Sequence, residues 1–460
     1  MPGKSCRLSA LCARFNHREG LIPHCLQRNK LMTNEVSLGL IPRSLLWGVS
    51  FAGYIEYIMC KWIERRTVLR FQELRLRNWR NFGNVNFELT NRVFIIGANA
   101  AGKSNLLDVF RFLKDVTADG LQKAVNARGG IKKLRYLNAR SQNYIEIFVR
   151  LIEEQEGTSV EWTYTLQFNS AGGKHENRDI NIKLEKITCG SDVLEDRKYQ
   201  DGDYLSNQFT YLEQPAMNTK YRALYECFRD ISYVNIIPQL IRESDSFIPS
   251  ASTEDFYGRN LLENISAAPK KSRATKLNVI NKILKLAVPQ FSNLEYTQDE
   301  KGRPHLQVKY EHFRPQGAYQ REDQFSDGTL RLLGIIWAIL DGTGVLLLEE
   351  PELYLYSEIV KQLPMFIANA QKSKIAKNRQ VIISSHSFDL LDTDTIDLDE
   401  IMILEPGKEG TVVEKASESE TARAKVEAGY TPADAVIPKV TPKGIMEGQL
   451  SLFDFGLVQR

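Results

Sequence analysis

Apolar and polar residues alternate with period two over residues 71–82 and 85–89, as they do in strands with one face buried. The pattern then changes to an unbroken apolar run, Val93-Phe94-Ile95-Ile96, which predicts a strand buried on both faces. An amphipathic stretch over residues 106–113 predicts a helix directly afterwards. Period two returns at residues 144–151 and 161–168, which predicts an antiparallel hairpin, and residues 180–187 add another strand. Residues 190–220 are polar and irregular, 221–228 read as a helix, 233–237 as a short strand, and 261–286 as a basic helix. Phe325-Ser326-Asp327-Gly328-Thr329 opens a helix to residue 340 with Ser326 as its N-cap. Two more buried strands follow, residues 344–348 before Glu349-Glu350-Pro351-Glu352 and residues 380–383 before Ser384-Ser385-His386-Ser387. Three apolar strands that each end in polar chemistry predict an α/β core with its site at the carboxyl ends of the sheet.

Length divides this pattern. A chain of 460 residues supports two or three lobes. We divide it into an N-terminal extension (1–66), a P-loop lobe with antiparallel strands (67–190), a helical insertion (191–319), a lobe carrying the signature and acid pair (320–410) and a C-terminal tail (411–460). Residues 1–66 have no sustained period and carry ten Lys/Arg against four Asp/Glu. Residues 44–60 are their most apolar part, but seventeen residues interrupted by Glu56 are marginal for a membrane span. We expect a poorly ordered or spurious leader in preference to an anchor or a partner-binding helix. No small-residue cleavage pattern marks a signal peptide.

The net charge of +3 argues neither for nor against nucleic acid, so partners must be read from patches. On the basic helix, Lys270, Lys271, Arg273, Lys276, Lys282 and Lys285 form either a solvated face or a phosphate-backbone contact, and few aromatics interleave to stack on bases. Six cysteines lie scattered with no CxxC, which suits a reducing cytoplasmic location. Cys6, Cys12, His17, His24 and Cys25 cluster at spacings that match no common zinc finger.

The chemistry centres on Gly97-Ala98-Asn99-Ala100-Ala101-Gly102-Lys103-Ser104-Asn105, a P-loop between the buried strand and the amphipathic helix. Its backbone N–H groups and helix start suit the phosphates of ATP, Lys103 reaches the β- and γ-phosphates, and the Ser104 hydroxyl binds Mg²⁺. Four aliphatics followed by two acids supply what a nucleoside triphosphatase needs beside that loop. Glu349 holds the Mg²⁺ shell and Glu350 polarises the attacking water. His386, between serines at a strand terminus, lies where a γ-phosphate-sensing group would sit. Ser326 and Gly328, at a helix N-terminus, are candidates for binding an anion.

The P-loop, Phe-Ser-Asp-Gly-Thr, Leu-Leu-Leu-Glu-Glu-Pro-Glu-Leu and Ser-Ser-His-Ser occur in an order and spacing that resembles the ABC-type ATPase heads of the RecF/SMC class, nearest to bacterial ATPases without a long coiled coil. Gly258-Arg259-Asn260-Leu261-Leu262 resembles a Gly-x-Asn-Leu segment of that group, and the likeness spans roughly residues 68–405. The resemblance implies an α/β P-loop NTPase of ABC/SMC-head type with an antiparallel β lobe and a helical insertion. It implies that two heads dimerise around ATP, Ser326 and Gly328 of one completing the site of Lys103 in the other. Two departures stand out: Glu349 replaces the commoner Asp, and Tyr354-Leu355-Tyr356-Ser357 replaces His-Leu-His-Pro. Gln142 is the candidate for the glutamine of the Q-loop.

Relatives of this build serve in DNA maintenance or as anti-phage sensors paired with a separate effector such as a nuclease, so DNA and an effector are the partners implied. No second catalytic constellation is present, which points to a conformational switch driven by ATP hydrolysis. The alternative is an oligomeric scaffold held by ATP with little turnover; a membrane transporter subunit is disfavoured. Gln449-Leu450-Ser451-Leu452-Phe453 resembles a peptide that docks on the bacterial sliding clamp, although a terminal segment packed on its own domain is the favoured reading.

Overall fold

The computed structural model describes residues 68–139, 143–155, 158–170, 180–203, 207–214, 218–243, 255–311, 318–373 and 379–440. The extension 1–66, Gln142 and residues 449–453 therefore lie outside the described residues.

The strands are β1 (Leu69–Trp79), β2 (Phe82–Glu88), β3 (Arg92–Gly97), β4 (Ile145–Gln155), β5 (Thr158–Ser170), β6 (Ile180–Cys189), β7 (Asp192–Lys198) and β8 (Ser232–Val234). They continue with β9 (Phe291–Gln298), β10 (Pro304–Tyr310), β11 (Ala318–Arg321), β12 (Leu346–Glu349), β13 (Val381–Ser385), β14 (Ile401–Gly407) and β15 (Gly410–Lys415). The core sheet has the order β15-β14-β3-β13-β12-β8, parallel from β14 to β8. A six-stranded antiparallel sheet, β2-β1-β4-β5-β6-β7, and a three-stranded one, β11-β10-β9, complete the described strands.

Side chains that alternate along the parallel strands enter two different cores. Val93, Ile95, Leu347, Ile382 and Leu404 face one cluster, with the helix Lys103–Asp119 and the antiparallel sheet. Phe94, Ile96, Leu346, Leu348, Ile383 and Ile403 face the other, with the helices Leu261–Ala267, Lys270–Ala287, Asp327–Leu340 and Ser357–Lys372. The unbroken apolar runs have this cause: both faces of the sheet are covered. Gln380, at the foot of β13, joins the two sheets. Its amide oxygen accepts from Phe71 N at 2.9 Å, and its amide nitrogen donates to Phe71 O and Thr90 O at 2.8 Å each.

Four stretches differ from the sequence reading. The basic helix is two helices, because Ala268 precedes Pro269 and takes an extended conformation (φ −63°, ψ 140°). Within it, Arg273 donates to Ser266 O at 2.7 Å and Lys276 bonds Asp341 at 2.6 Å, so two of its six cations are engaged inside the fold. Residues 192–198 form an edge strand with a largely exposed, charged face, which has no period to read. Residues 291–310 form the β9–β10 hairpin. Residues 411–440 are integral to the fold: β15 pairs with β14, and Val436 and Val440 join the core. No helix among the described residues is long and apolar enough to cross a membrane.

Candidate functional site

The carboxyl ends of β3, β12 and β13 lie side by side, because β13 is paired with both of the others in parallel register. After β3 the chain turns through Ala100 (φ 64°) and Gly102 (φ 100°) and enters the helix Lys103–Asp119. A Cβ on Gly102 would lie 2.0 Å from Asn81 Nδ2, and one on Gly97 would lie 2.6 Å from Leu404 O. Glycine is therefore favoured by steric contact at Gly97, and by steric contact and conformation at Gly102. The loop is braced from two remote segments. Asn81 Nδ2 donates to Thr411 Oγ1 at 2.6 Å and Ala101 O at 3.3 Å, Asn105 Nδ2 donates to Asn81 Oδ1 at 2.7 Å, and Thr411 Oγ1 donates to Ala101 O at 2.8 Å.

Lys103, 7% exposed, turns its ammonium onto the loop, donating to Gly97 O at 2.8 Å and Ala98 O at 3.2 Å. Burial lowers its pKa, against the opposing fields of Glu350, Glu352 and Glu349. A cation held among carbonyl oxygens and partly desolvated favours an anion such as phosphate.

Glu349, at the end of β12, accepts hydrogen bonds on both carboxylate oxygens. Ser104 Oγ donates to Oε1, and the Tyr233 hydroxyl, from β8, donates to Oε2. The next residue, Glu350, has a left-handed backbone (φ 45°), uncommon for a residue with a side chain. Its N–H donates to Ser384 O at 2.9 Å, and its carbonyl accepts from Arg331 Nη2 at 2.6 Å. Arg331 is 1% exposed and also donates to Ile236 O, so one guanidinium joins the helix Asp327–Leu340 to the acid turn and to the segment after β8. His386 Nδ1 lies 3.2 Å from Glu350 Oε1, while Glu352 Oε1 accepts from Ser385 Oγ at 2.6 Å and His386 N at 3.2 Å. Glu352 thus fixes the turn that aims His386 at Glu350.

Ser326 caps its helix as the sequence predicts, its Oγ accepting from Thr329 N at 3.2 Å. Asp327 is tied by Arg242 at 2.6 Å and Gln239 at 2.9 Å. Gly328 lies against Tyr354 O, which a Cβ would approach to 2.6 Å. The structure accordingly brings Ser104, Glu349, Glu350 and His386 together beside Lys103, and holds Ser326 and Gly328 on separate partners. Sequence reasoning missed Asn81, Tyr233, Arg331, Glu352 and Thr411. Only Glu352 carried a local signal, two residues beyond the acid pair; Tyr233 and Thr411 reach the site from strands 116 and 310 residues away, Asn81 from the β1–β2 turn and Arg331 from the face of a buried helix.

The model of a family described as "AAA domain, putative AbiEii toxin, Type IV TA system" matches residues 92–392, from the first residue of β3 to just beyond His386. No curated protein matches the chain. Among solved structures, the SMC head domain from Thermotoga maritima is 14% identical, with 75% of this chain and 98% of that chain covered at a TM-score of 0.41. An SmcHead bound to the C-winged helix domain of ScpA is 16% identical, covering 76% and 99% at 0.46. An Smc head with an extended coiled coil, bound to a ScpA domain derived from Pyrococcus furiosus, is 12% identical, covering 78% and 100% at 0.44. The family match takes in the P-loop, the acid pair and His386 together, and on it the chain belongs to that AAA-domain family, with an α/β P-loop fold.

Proposed function

We propose that the protein binds and hydrolyses ATP with Mg²⁺, and that two copies close around the nucleotide to switch an assembly containing DNA or an effector protein. One observation carries the reading: Ser104 and Glu349, 245 residues apart, meet directly, with Glu350 and His386 paired beside them. The donor set fits Mg²⁺, being oxygen only, a hydroxyl and a carboxylate, with the remaining positions falling to phosphate and water oxygens. Bound there, Mg²⁺ would neutralise charge on the β- and γ-phosphate oxygens.

The loop N–H groups from Gly97 to Asn105 bind the phosphates, and Lys103 exchanges its carbonyl contacts for phosphate oxygens. Glu350 orients the attacking water and accepts its proton, while the imidazole of His386 fixes the carboxylate that does so. Ser326 and Gly328 present their helix N-terminus to the nucleotide of a second copy. A nuclease-type effector and an anti-phage role follow from family resemblance, as does DNA.

Turnover by wild type and Glu350→Gln tests this, with the molecular mass in solution followed with and without ATP. The expected outcome is a loss of about 100-fold or more in kcat for the variant, in the range for removing a catalytic base. The variant should also accumulate as an ATP-bound dimer. A wild type that turns over no faster than the variant overturns hydrolysis, and a mass unchanged by ATP overturns the dimer.

A further inference from the structure

We infer that Tyr233 is a positioning residue that sets the Glu349 carboxylate against Ser104 for holding the divalent cation, an inference that rests on the ATPase reading above. β8 is the parallel neighbour of β12, with Tyr233 level with Leu347 and Val234 level with Leu348. From that edge strand the phenol reaches the end of β12 and donates to Glu349 Oε2, while Ser104 donates to Oε1. A carboxylate with one hydroxyl on each oxygen has no free rotation left about its last torsion.

The ring is itself held. The Arg111 guanidinium lies 4.3 Å from the centroid of Tyr233 and 4.6 Å from that of Phe256, and the two rings meet edge to face at 5.4 Å. Arg111 is seven residues beyond Ser104 on one helix, two turns along the same face. The helix that carries the P-loop serine therefore grips both the acid and the aromatic ring that aims it. Partners of this kind around a metal ligand are worth about 10-fold to 100-fold in metal affinity.

Tyr233→Phe keeps the ring and its clamp and removes only the hydroxyl. Binding of the fluorescent nucleotide mant-ATP is followed while Mg²⁺ is titrated, and again in EDTA. For the variant, the Mg²⁺ concentration at half-maximal binding should rise about tenfold, with affinity in EDTA and the unfolding temperature as in wild type. A Mg²⁺ midpoint within about twofold of wild type overturns the inference, twofold being well below the effect typical of such partners. So does an affinity that falls equally with and without Mg²⁺, the mark of a packing role. The ATPase reading fails separately, and takes the inference with it, if wild type and Lys103→Ala both bind no nucleotide.

Discussion

Arg331→Met would remove a buried guanidinium and leave its shape largely filled. Ile236 O loses its donor, and Glu350 O loses the Arg331 bond at 2.6 Å and keeps Leu353 N at 3.3 Å, while Asn235 Oδ1 and Pro351 O at 3.4 Å lie at the limit of bonding. A buried carbonyl left unsatisfied costs about 1–3 kcal/mol and a hydrogen bond lost from a group that keeps another about 1 kcal/mol, so the two together cost about 2–4 kcal/mol. Against this stands the release of a desolvated charge, since burial lowers the pKa of Arg331 despite the nearby Glu352, Tyr354 and Glu350. Allowing for that release and for the apolar contacts of Met, a net loss of about 1–3 kcal/mol is expected. Urea unfolding measures it.

A second readout separates this from simple loosening of the core. Glu350 holds a left-handed backbone whose strain is about 1–3 kcal/mol, clamped at its carbonyl by Arg331 and at its N–H by Ser384. Freed at one end, the acid turn can relax. Turnover per folded molecule should fall by about tenfold, equivalent to roughly 1.4 kcal/mol, with nucleotide affinity unchanged. An unfolding free energy within about 0.5 kcal/mol of wild type, the scatter of a neutral surface change, would refute the reasoning.

Two further substitutions test the scaffold of the site. Gly102→Ala places a Cβ at φ 100° and 2.0 Å from Asn81 Nδ2, so the brace on Ala101 must move, and binding of mant-ATP should weaken by about tenfold or more. An unchanged Kd would show that the brace is not needed. Gln380→Leu strips a donor and an acceptor from three backbone groups, Phe71 N, Phe71 O and Thr90 O, and should lower the unfolding free energy by on the order of 3 kcal/mol. Nucleotide affinity of the folded fraction should stay as in wild type; a stable variant with weakened binding would place Gln380 in the site instead.

What could be read from the sequence was whatever local chemistry encodes. The run Val93-Phe94-Ile95-Ile96 had to be a doubly covered strand, Gly97 to Ser104 had to be a phosphate loop in form, and Ser326 had to cap a helix; each signal fits within about ten residues. The β9–β10 hairpin and β7 were not legible, since β7 has a charged outer edge and owes its conformation to pairing with β6. Tyr233 read as an ordinary strand aromatic, because its value depends on where β8 docks. Asn81 fell in a stretch read as strand and Thr411 at the start of the tail, although both donate to Ala101 O in the loop. Arg331 sat among aliphatics on a buried helix with nothing nearby in sequence to pair with, and its partners are carbonyls, which sequence does not display.

The order of the core sheet also constrains how the protein is made. β3 lies between β13 and β14, which the ribosome adds nearly 290 and 310 residues later. At about 5–20 residues per second, the loop strand is synthesised roughly 15–60 seconds before it has a partner on either side. Over that interval an apolar segment with two open edges remains in the nascent chain, and the local antiparallel strands β1, β2, β4 and β5 can pair first. A chain stopped before Ile401 would carry the whole P-loop and signature and still lack one wall of the sheet that sets the loop in place.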